Sequence, residues 1–196
     1  MKERRSEITR ETKETKIALT LNLDGVGAAN ISTGIGFLDH LLTTLTLHAR
    51  IDLDLRCEGD LHTDDHHTAE DCAIALGSAI NKALGDRKGI RRFGCAYAPL
   101  DEALARVVLD LSGRPSADVC LSLKREKIGD LSVENIPHFL RSMAGAALMT
   151  LHADTLKGEN DHHKAEAAFK ALALALREAL LRTGEETAPS AKGTLV

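Results

Sequence analysis

One short motif, present twice, carries most of the chemistry legible in this chain. Asp65-His66-His67-Thr68-Ala69-Glu70 in the first half recurs as Asp161-His162-His163-Lys164-Ala165-Glu166 in the second. On a helix, residues four apart project from one face, so His66 with Glu70, and His162 with Glu166, can each chelate a single ion. His67 and His163 stand about 100° further round. An adjacent histidine pair therefore serves two ions on neighbouring faces rather than closing on one. Two more histidines, His40 and His138, occupy matching places upstream of the two copies. The duplication suggests one ion held by His66, Glu70, His138 and His163, and a second held by His162, Glu166, His40 and His67. Three imidazoles and one carboxylate suit manganese, iron, cobalt or zinc better than calcium or magnesium. Four protein ligands on an octahedral ion leave two positions open, which points to catalysis rather than a structural plug. His62 and His152 read as ordinary histidines, while His48, which closes an apolar run, stays open between that reading and a role in the site.

The elements that must position these residues repeat in the same way. Each motif opens an apolar-periodic run, Ala73 to Leu84 and Phe169 to Leu181, with Asp or Asn just upstream as an N-cap. Upstream helices are expected over Leu41 to His48 and Phe139 to Thr150. Alternation predicts strands over Arg50 to Cys57 and Leu151 to Leu156. Hairpin-like runs come before them: Arg4 to Thr12 with Lys16 to Leu23, then Cys95 to Ala98 with Ala103 to Leu111 and Ala117 to Leu123. Both halves thus read strands, helix, strand, helix, an internally duplicated two-layer α+β fold with helices on one face of mixed sheets. The expected organisation is a half-repeat over 1–90, a second over 91–183, and a Gly-, Pro-, Ser- and Thr-containing tail over 184–196. The exposed sheet faces and the Ala-rich helices are expected to suit packing against other subunits.

Composition removes several function classes. The chain has 196 residues, 43% hydrophobic and 28% charged, enough for a real core. No run approaches the roughly 18 apolar residues of a membrane helix, and Met1 to Thr15 is charged where a secretory signal is apolar, so a cytoplasmic protein is expected. Cys57, Cys72, Cys95 and Cys120 form no C-x-x-C pair and read as buried thiols. A net charge of -4, no Trp and one Tyr leave neither a basic field nor stacking aromatics for nucleic acid.

Further segments complete the pattern: Arg10-Glu11-Thr12-Lys13-Glu14-Thr15, Gly36-Phe37-Leu38-Asp39-His40, Gly59-Asp60-Leu61, Leu111-Ser112-Gly113-Arg114-Pro115, Gly158-Glu159-Asn160 before the second motif, and Phe169-Lys170-Ala171 after it. In this order, with both motifs, they resemble the imidazoleglycerol-phosphate dehydratase family over nearly the whole chain. The resemblance implies a fold like domain 2 of ribosomal protein S5. It also implies a hydro-lyase of histidine biosynthesis that converts D-erythro-imidazoleglycerol phosphate to imidazoleacetol phosphate through a dimetal-bound imidazolate, with two Mn2+ per active site. Its implied ligand sets are the two reached above from helix geometry. It makes Glu14, by itself a solvated carboxylate, the acid/base group that takes the carbon proton. It brings Arg92, Arg114, Lys170, Ser190, Lys192 and Gly193 near the substrate phosphate, where guanidinium forks suit a phosphate. It further implies trimers that assemble into a 24-mer with sites at subunit interfaces. The chain departs from the family where Thr44 replaces a usual Gln and Ala49 a usual Gly; Thr44 is too short to replace a Gln contact, leaving water or His48 to fill the gap. Two rivals use the same residues: a dinuclear hydrolase of a phosphorylated small molecule, and a storage or assembly protein cross-linked by metal.

Overall fold

The computed structural model describes residues 3–191, 193 and 195. The first half runs β1 (Arg5–Glu11), β2 (Thr15–Asn22), β3 (Ala29–Ser32), α1 (Gly36–Ala49), β4 (Asp52–Gly59) and α2 (His66–Leu84). The second runs β5 (Phe93–Leu100), β6 (Ala103–Asp110), β7 (Ser116–Cys120), a small hairpin of β8 (Lys127–Ile128) and β9 (Leu131–Ser132), α3 (Asn135–Ala146), β10 (Thr150–Lys157) and α4 (Asp161–Ala179). Each half makes a four-stranded sheet of the same order, β1-β2-β4-β3 and β5-β6-β10-β7. In both, the last pair is parallel and the others antiparallel. The fold is α+β, built from two similar halves.

Strand alternation explains the layering. Ile17, Leu19 and Leu21 of β2 and Leu53, Leu55 and Cys57 of β4 point inward, as do Ala105, Val107 and Leu109 of β6 with Leu151 and Ala153 of β10. The intervening residues form an outer face on each sheet. Helix α2 packs on β1 and β2, and α4 on β5 and β6; between the sheets α1 meets α4 and α2 meets α3. A helix covered by a sheet on one side and a helix on the other has room only for small side chains. Hence Ala165, Ala168, Ala171, Ala175 and Ala179 of α4 are all buried within the chain. The Ala-rich faces of the helices thus pack within the chain. Two glycines allow close backbone approach of packed elements: a Cβ at Gly77 would run into the Met143 carbonyl, and one at Gly94 into the Ala175 carbonyl.

Three local expectations differ from the structure. Helix α3 begins at Asn135 and tolerates Pro137 in its first turn, where an N–H has no intrahelical partner. It stops at Ala146, because Leu148 turns left-handed (φ 50°) and the chain enters β10 at Thr150. Strand β3 carries no alternating apolar signal of its own and forms as the parallel neighbour of β4. Cys57 and Cys72 are buried, but Cys95 and Cys120 are exposed. They occupy outward positions of β5 and β7, whose apolar neighbours point the other way.

Two interactions tie the halves together. Arg87, 1% exposed, donates to the carbonyls of Ala147 and Leu148 at the end of α3 and to Asn81 Oδ1. It satisfies carbonyls that the helix end leaves without partners. Asp24 accepts from Arg4 and Arg182, and Arg4 also donates to the Leu180 carbonyl, so β1 is fastened to the end of α4. Burial alone raises the Asp24 carboxyl, and the two guanidiniums override it, holding it well below its usual 3.8.

Arg87→Met, leaving two buried carbonyls unpaired, is expected to cost about 3 kcal/mol, a fall in Tm of roughly 6–12 °C for a chain of this size; an unchanged Tm would remove Arg87 from the stabilising contacts. For Asp24 the sign follows from its depressed folded-state value. Its contribution is complete above the unfolded-state value of 3.8 and is lost as pH falls below it. Asp24→Asn should therefore lower stability by about 1 kcal/mol at neutral pH, with a penalty that fades in melts below pH 3.8.

Candidate metal centre

Both motif helices are capped two residues before their first histidine. The Asp64 carboxylate accepts from the His66 N–H at 2.8 Å, and the Asn160 side chain from the His162 N–H at 3.0 Å. The motif aspartates expected near these caps turn instead to the loop between β7 and α3. Asp65 accepts from the N–H and hydroxyl of Ser132. Asp161 accepts from the N–H groups of Lys124 and Arg125 and pairs with the buried Lys164. The loop carrying the β8–β9 hairpin is therefore pinned at one end to α4 and at the other to α2.

With the helix starts fixed, the expected same-face pairs form. His40 Nε2 and His162 Nε2 lie 3.2 and 3.3 Å from the same oxygen, Glu166 Oε2. His138 Nε2 lies 3.0 Å from Glu70 Oε1, and His66 Nε2 lies 3.9 Å from Glu70 Oε2. In each trio one donor atom per residue lies within 4.8 Å of the others. For bonds of about 2.1 Å, neighbouring donors around an ion sit about 3 Å apart, so both trios fit a divalent cation with little movement. Donor chemistry agrees, since borderline imidazole nitrogen mixed with carboxylate suits a first-row transition metal. Phe37 packs against His162 at a ring separation of 4.8 Å, and the His66 and His138 rings stack at the same distance. Ile128, Gly129 and Asp130 of the hairpin line the cavity beside the His40 trio. Burial alone pushes the Glu166 carboxyl up, but the Lys170 ammonium at 2.8 Å and the His40 imidazole hold it at about 2. It is an anion at any pH where the imidazoles are neutral.

The remaining two histidines of the expected sets join neither trio within the described residues. His67 donates from Nδ1 to Asp60 at 3.0 Å, and its Nε2 meets Glu14 Oε1 at 3.6 Å. His163 donates from Nδ1 to Glu102 at 2.7 Å, with its Nε2 3.8 Å from Asp101. Hydrogen bonds to these carboxylates raise both imidazoles above their usual value. A similar tether, His66 Nδ1 to Asn135 Oδ1 at 3.0 Å, holds the first trio. Sequence reasoning assigned no role to Asp60, Glu102 or Asn135, since Glu102 and Asn135 reach their histidines across the fold and Asp60 stood only as part of a matching segment.

Glu14 sits on a rigid mount. The Thr12 hydroxyl accepts the N–H groups of Glu14 and Thr15, the Glu14 carbonyl accepts from the Asp60 N–H, and Arg10 and Thr15 both bind Asp71 on α2. Its side chain remains 51% exposed. The other expected substrate residues are dispersed. Lys170 is beside the His40 trio, paired with Glu166. Arg92 makes a two-pronged contact with Asp110 at 2.7 and 2.9 Å and donates to the Pro189 carbonyl, near the last turn of α4. Helix α4 is about 28 Å long, so Arg92 cannot reach the trio at its first turn. Arg114 is exposed on the turn after β6, His48 is half-buried at the end of α1, and Ser190 and Gly193 share a turn of the tail. Lys192 lies outside the described residues. Thr44 is buried in the face of α1 that meets the core, so its hydroxyl offers no direct substitute for a longer amide.

The family model for imidazoleglycerol-phosphate dehydratase matches residues 33–176. The chain is 56% identical, over 98% of its length, to an imidazoleglycerol-phosphate dehydratase of Phytophthora nicotianae, of which it spans 42%. It is 50% identical to that of Eremothecium gossypii, with 98% of each chain covered. The crystal structure of imidazoleglycerol-phosphate dehydratase from Staphylococcus aureus superposes with a TM-score of 0.83 at 37% identity, covering 91% of this chain and 99% of that one. With more than half its length matched by the family and its fold shared with a solved member, the chain belongs to the imidazoleglycerol-phosphate dehydratase family of enzymes.

Proposed function

We propose that this enzyme removes water from D-erythro-imidazoleglycerol phosphate to give imidazoleacetol phosphate in histidine biosynthesis, with two Mn2+ per active site and the imidazole ring reacting in its deprotonated form. The observation that carries the reading is the pair of His-His-Glu trios at coordination spacing, each one imidazole short of a four-ligand set. The expected fourth ligands, His67 and His163, are tethered at Nδ1 and keep Nε2 for another partner. A second copy of the chain supplies the missing pieces symmetrically. His163 of one copy completes the His66, Glu70 and His138 set of its neighbour, and the neighbour's His67 completes the His40, His162 and Glu166 set of the first. The same sharing answers the dispersal of Arg92, Arg114 and the tail, which approach the phosphate from a copy other than the one holding the nearest trio. Trimers assembling into a 24-subunit shell belong to this reading, as does a cytoplasmic site of action. Among the described residues no helix is long and apolar enough to cross a membrane.

The reaction's difficulty is a carbon-bound proton of low acidity. Bound manganese supplies Lewis acidity toward the ring nitrogens and the departing hydroxyl. The chain's own task is to hold the substrate and move one proton. Glu14, with its main chain fixed and its carboxylate free beside His67, takes the proton from the carbon next to the one bearing the leaving hydroxyl. Returned to the departing oxygen, that proton leaves as water, and the enol becomes the ketone. Arg92, Arg114, Lys170, His48, Ser190, Lys192 and Gly193 bind and orient the phosphate end, so that the reacting carbon meets Glu14 rather than bulk water. Glu14→Gln keeps shape and removes the base. Metal-stripped protein with Mn2+ restored is expected to form ketone from imidazoleglycerol phosphate without releasing free phosphate. Phosphate release would instead select a dinuclear hydrolase, and no turnover with any metal would leave an assembly protein. Glu14→Gln is expected to lower kcat about 10²- to 10⁴-fold while Mn2+ binding stays intact; an unchanged kcat would remove Glu14 from the proton transfer.

A further inference from the structure

Glu14 stands immediately before β2, and Glu102 immediately before β6, the same place in the two halves. The two carboxylates are mounted differently. That of Glu14 is open, with its side chain half exposed. The Glu102 carboxylate accepts three hydrogen bonds: Oε1 takes the N–H groups of Glu159 and Asn160 at 3.1 and 2.9 Å, and Oε2 takes His163 Nδ1 at 2.7 Å. In the first half the contact to His67 Nδ1 comes from Asp60, the residue after β4, where the second half has Gly158 after β10. Each half thus ties the second histidine of its motif by Nδ1–H to a carboxylate, drawn from a different element. The corresponding turns thus carry an open carboxylate in one half and a hydrogen-bonded one in the other.

We propose that Glu102 and Asp60 are positioning residues for metal binding, each fixing the Nδ1–H tautomer and ring orientation of its histidine so that the Nε2 lone pair faces the cation. This rests on the two-metal reading above. A neutral imidazole presents one lone pair, and the group bound at the other nitrogen decides where it points. Without that tether the ring is free to turn Nε2 away, and the ligand nitrogen also loses the basicity a carboxylate partner lends it. Both oxygens of Glu102 already accept hydrogen bonds from its own chain, which suits it to a tether rather than to a second acid/base group.

The test is Mn2+ titration of the metal-stripped full chain, with free Mn2+ followed by its paramagnetic resonance signal and melting temperature recorded alongside. Wild type is expected to fill two sites per chain. Glu102→Ala should keep one site at wild-type affinity and weaken the other about 10- to 100-fold, and Asp60→Ala should weaken only the opposite site. Glu102→Gln, whose amide oxygen still accepts from Nδ1–H, should recover most of the affinity. Wild-type affinity at both sites in Glu102→Ala, or equal weakening of both with a lower melting temperature, would overturn the proposal by making Glu102 inert or merely a splint. Wild-type chain that takes up no Mn2+ would overturn the metal reading beneath it, and that result needs no variant to see.

Discussion

Two imidazoles converging on one carboxylate, once at the start of α4 and once at the start of α2, is the contact that the rest of the chain serves. A histidine and a glutamate four apart share a helix face only if the helix begins where it must. That start is fixed by the Asp64 and Asn160 caps and by the hold of Asp65 and Asp161 on the loop between β7 and α3. The third member arrives on another helix: α1 brings His40 to α4, and α3 brings His138 to α2. Close helix contact, which demands alanine and glycine along α2 and α4, is therefore a requirement of the site as much as of the core.

The duplication is what made the chain readable. Helical spacing gave the same-face pairs His66 with Glu70 and His162 with Glu166, and the matched positions of His40 and His138 gave their partners, all brought together in the structure. Alternation gave the strands whose pattern is local, such as β2, β4 and β6. What stayed hidden depends on contacts distant in sequence. Strand β3 exists because β4 offers an edge, Cys95 and Cys120 are exposed because of which sheet face they occupy, and α3 stops early because the chain must turn into β10. The hydrogen bonds of Asn135 and Glu102 to ring nitrogens join residues no periodicity connects. Spacing grouped His67 and His163 with the trios, whereas in the fold each is tied at Nδ1 to a carboxylate and joins neither trio of its own chain among the described residues.

Duplication also explains why two similar halves do different work. The turn before β2 keeps Glu14 open on a rigid mount, whereas the corresponding turn before β6 commits Glu102 to a histidine and two N–H groups. Two symmetric sites need ligands in both halves, but a reaction that moves one proton needs one base. The residues expected to bind the phosphate are divided likewise, with Lys170 near a trio and Arg92 fastened to Asp110 at the far end of the same helix.

The central claim is that each active site joins the His40, His162, Glu166 and His163 side of one chain to the His66, Glu70, His138 and His67 side of another. Co-assembly of two inactive chains, Glu166→Gln and Glu70→Gln, with Mn2+ tests it directly. Shared sites require the mixture to regain dehydratase activity, because some interfaces then unite an intact side from each chain, while either variant alone stays inactive. A mixture as inactive as its components, though shown to co-assemble, would contradict the account and place each complete site within a single chain.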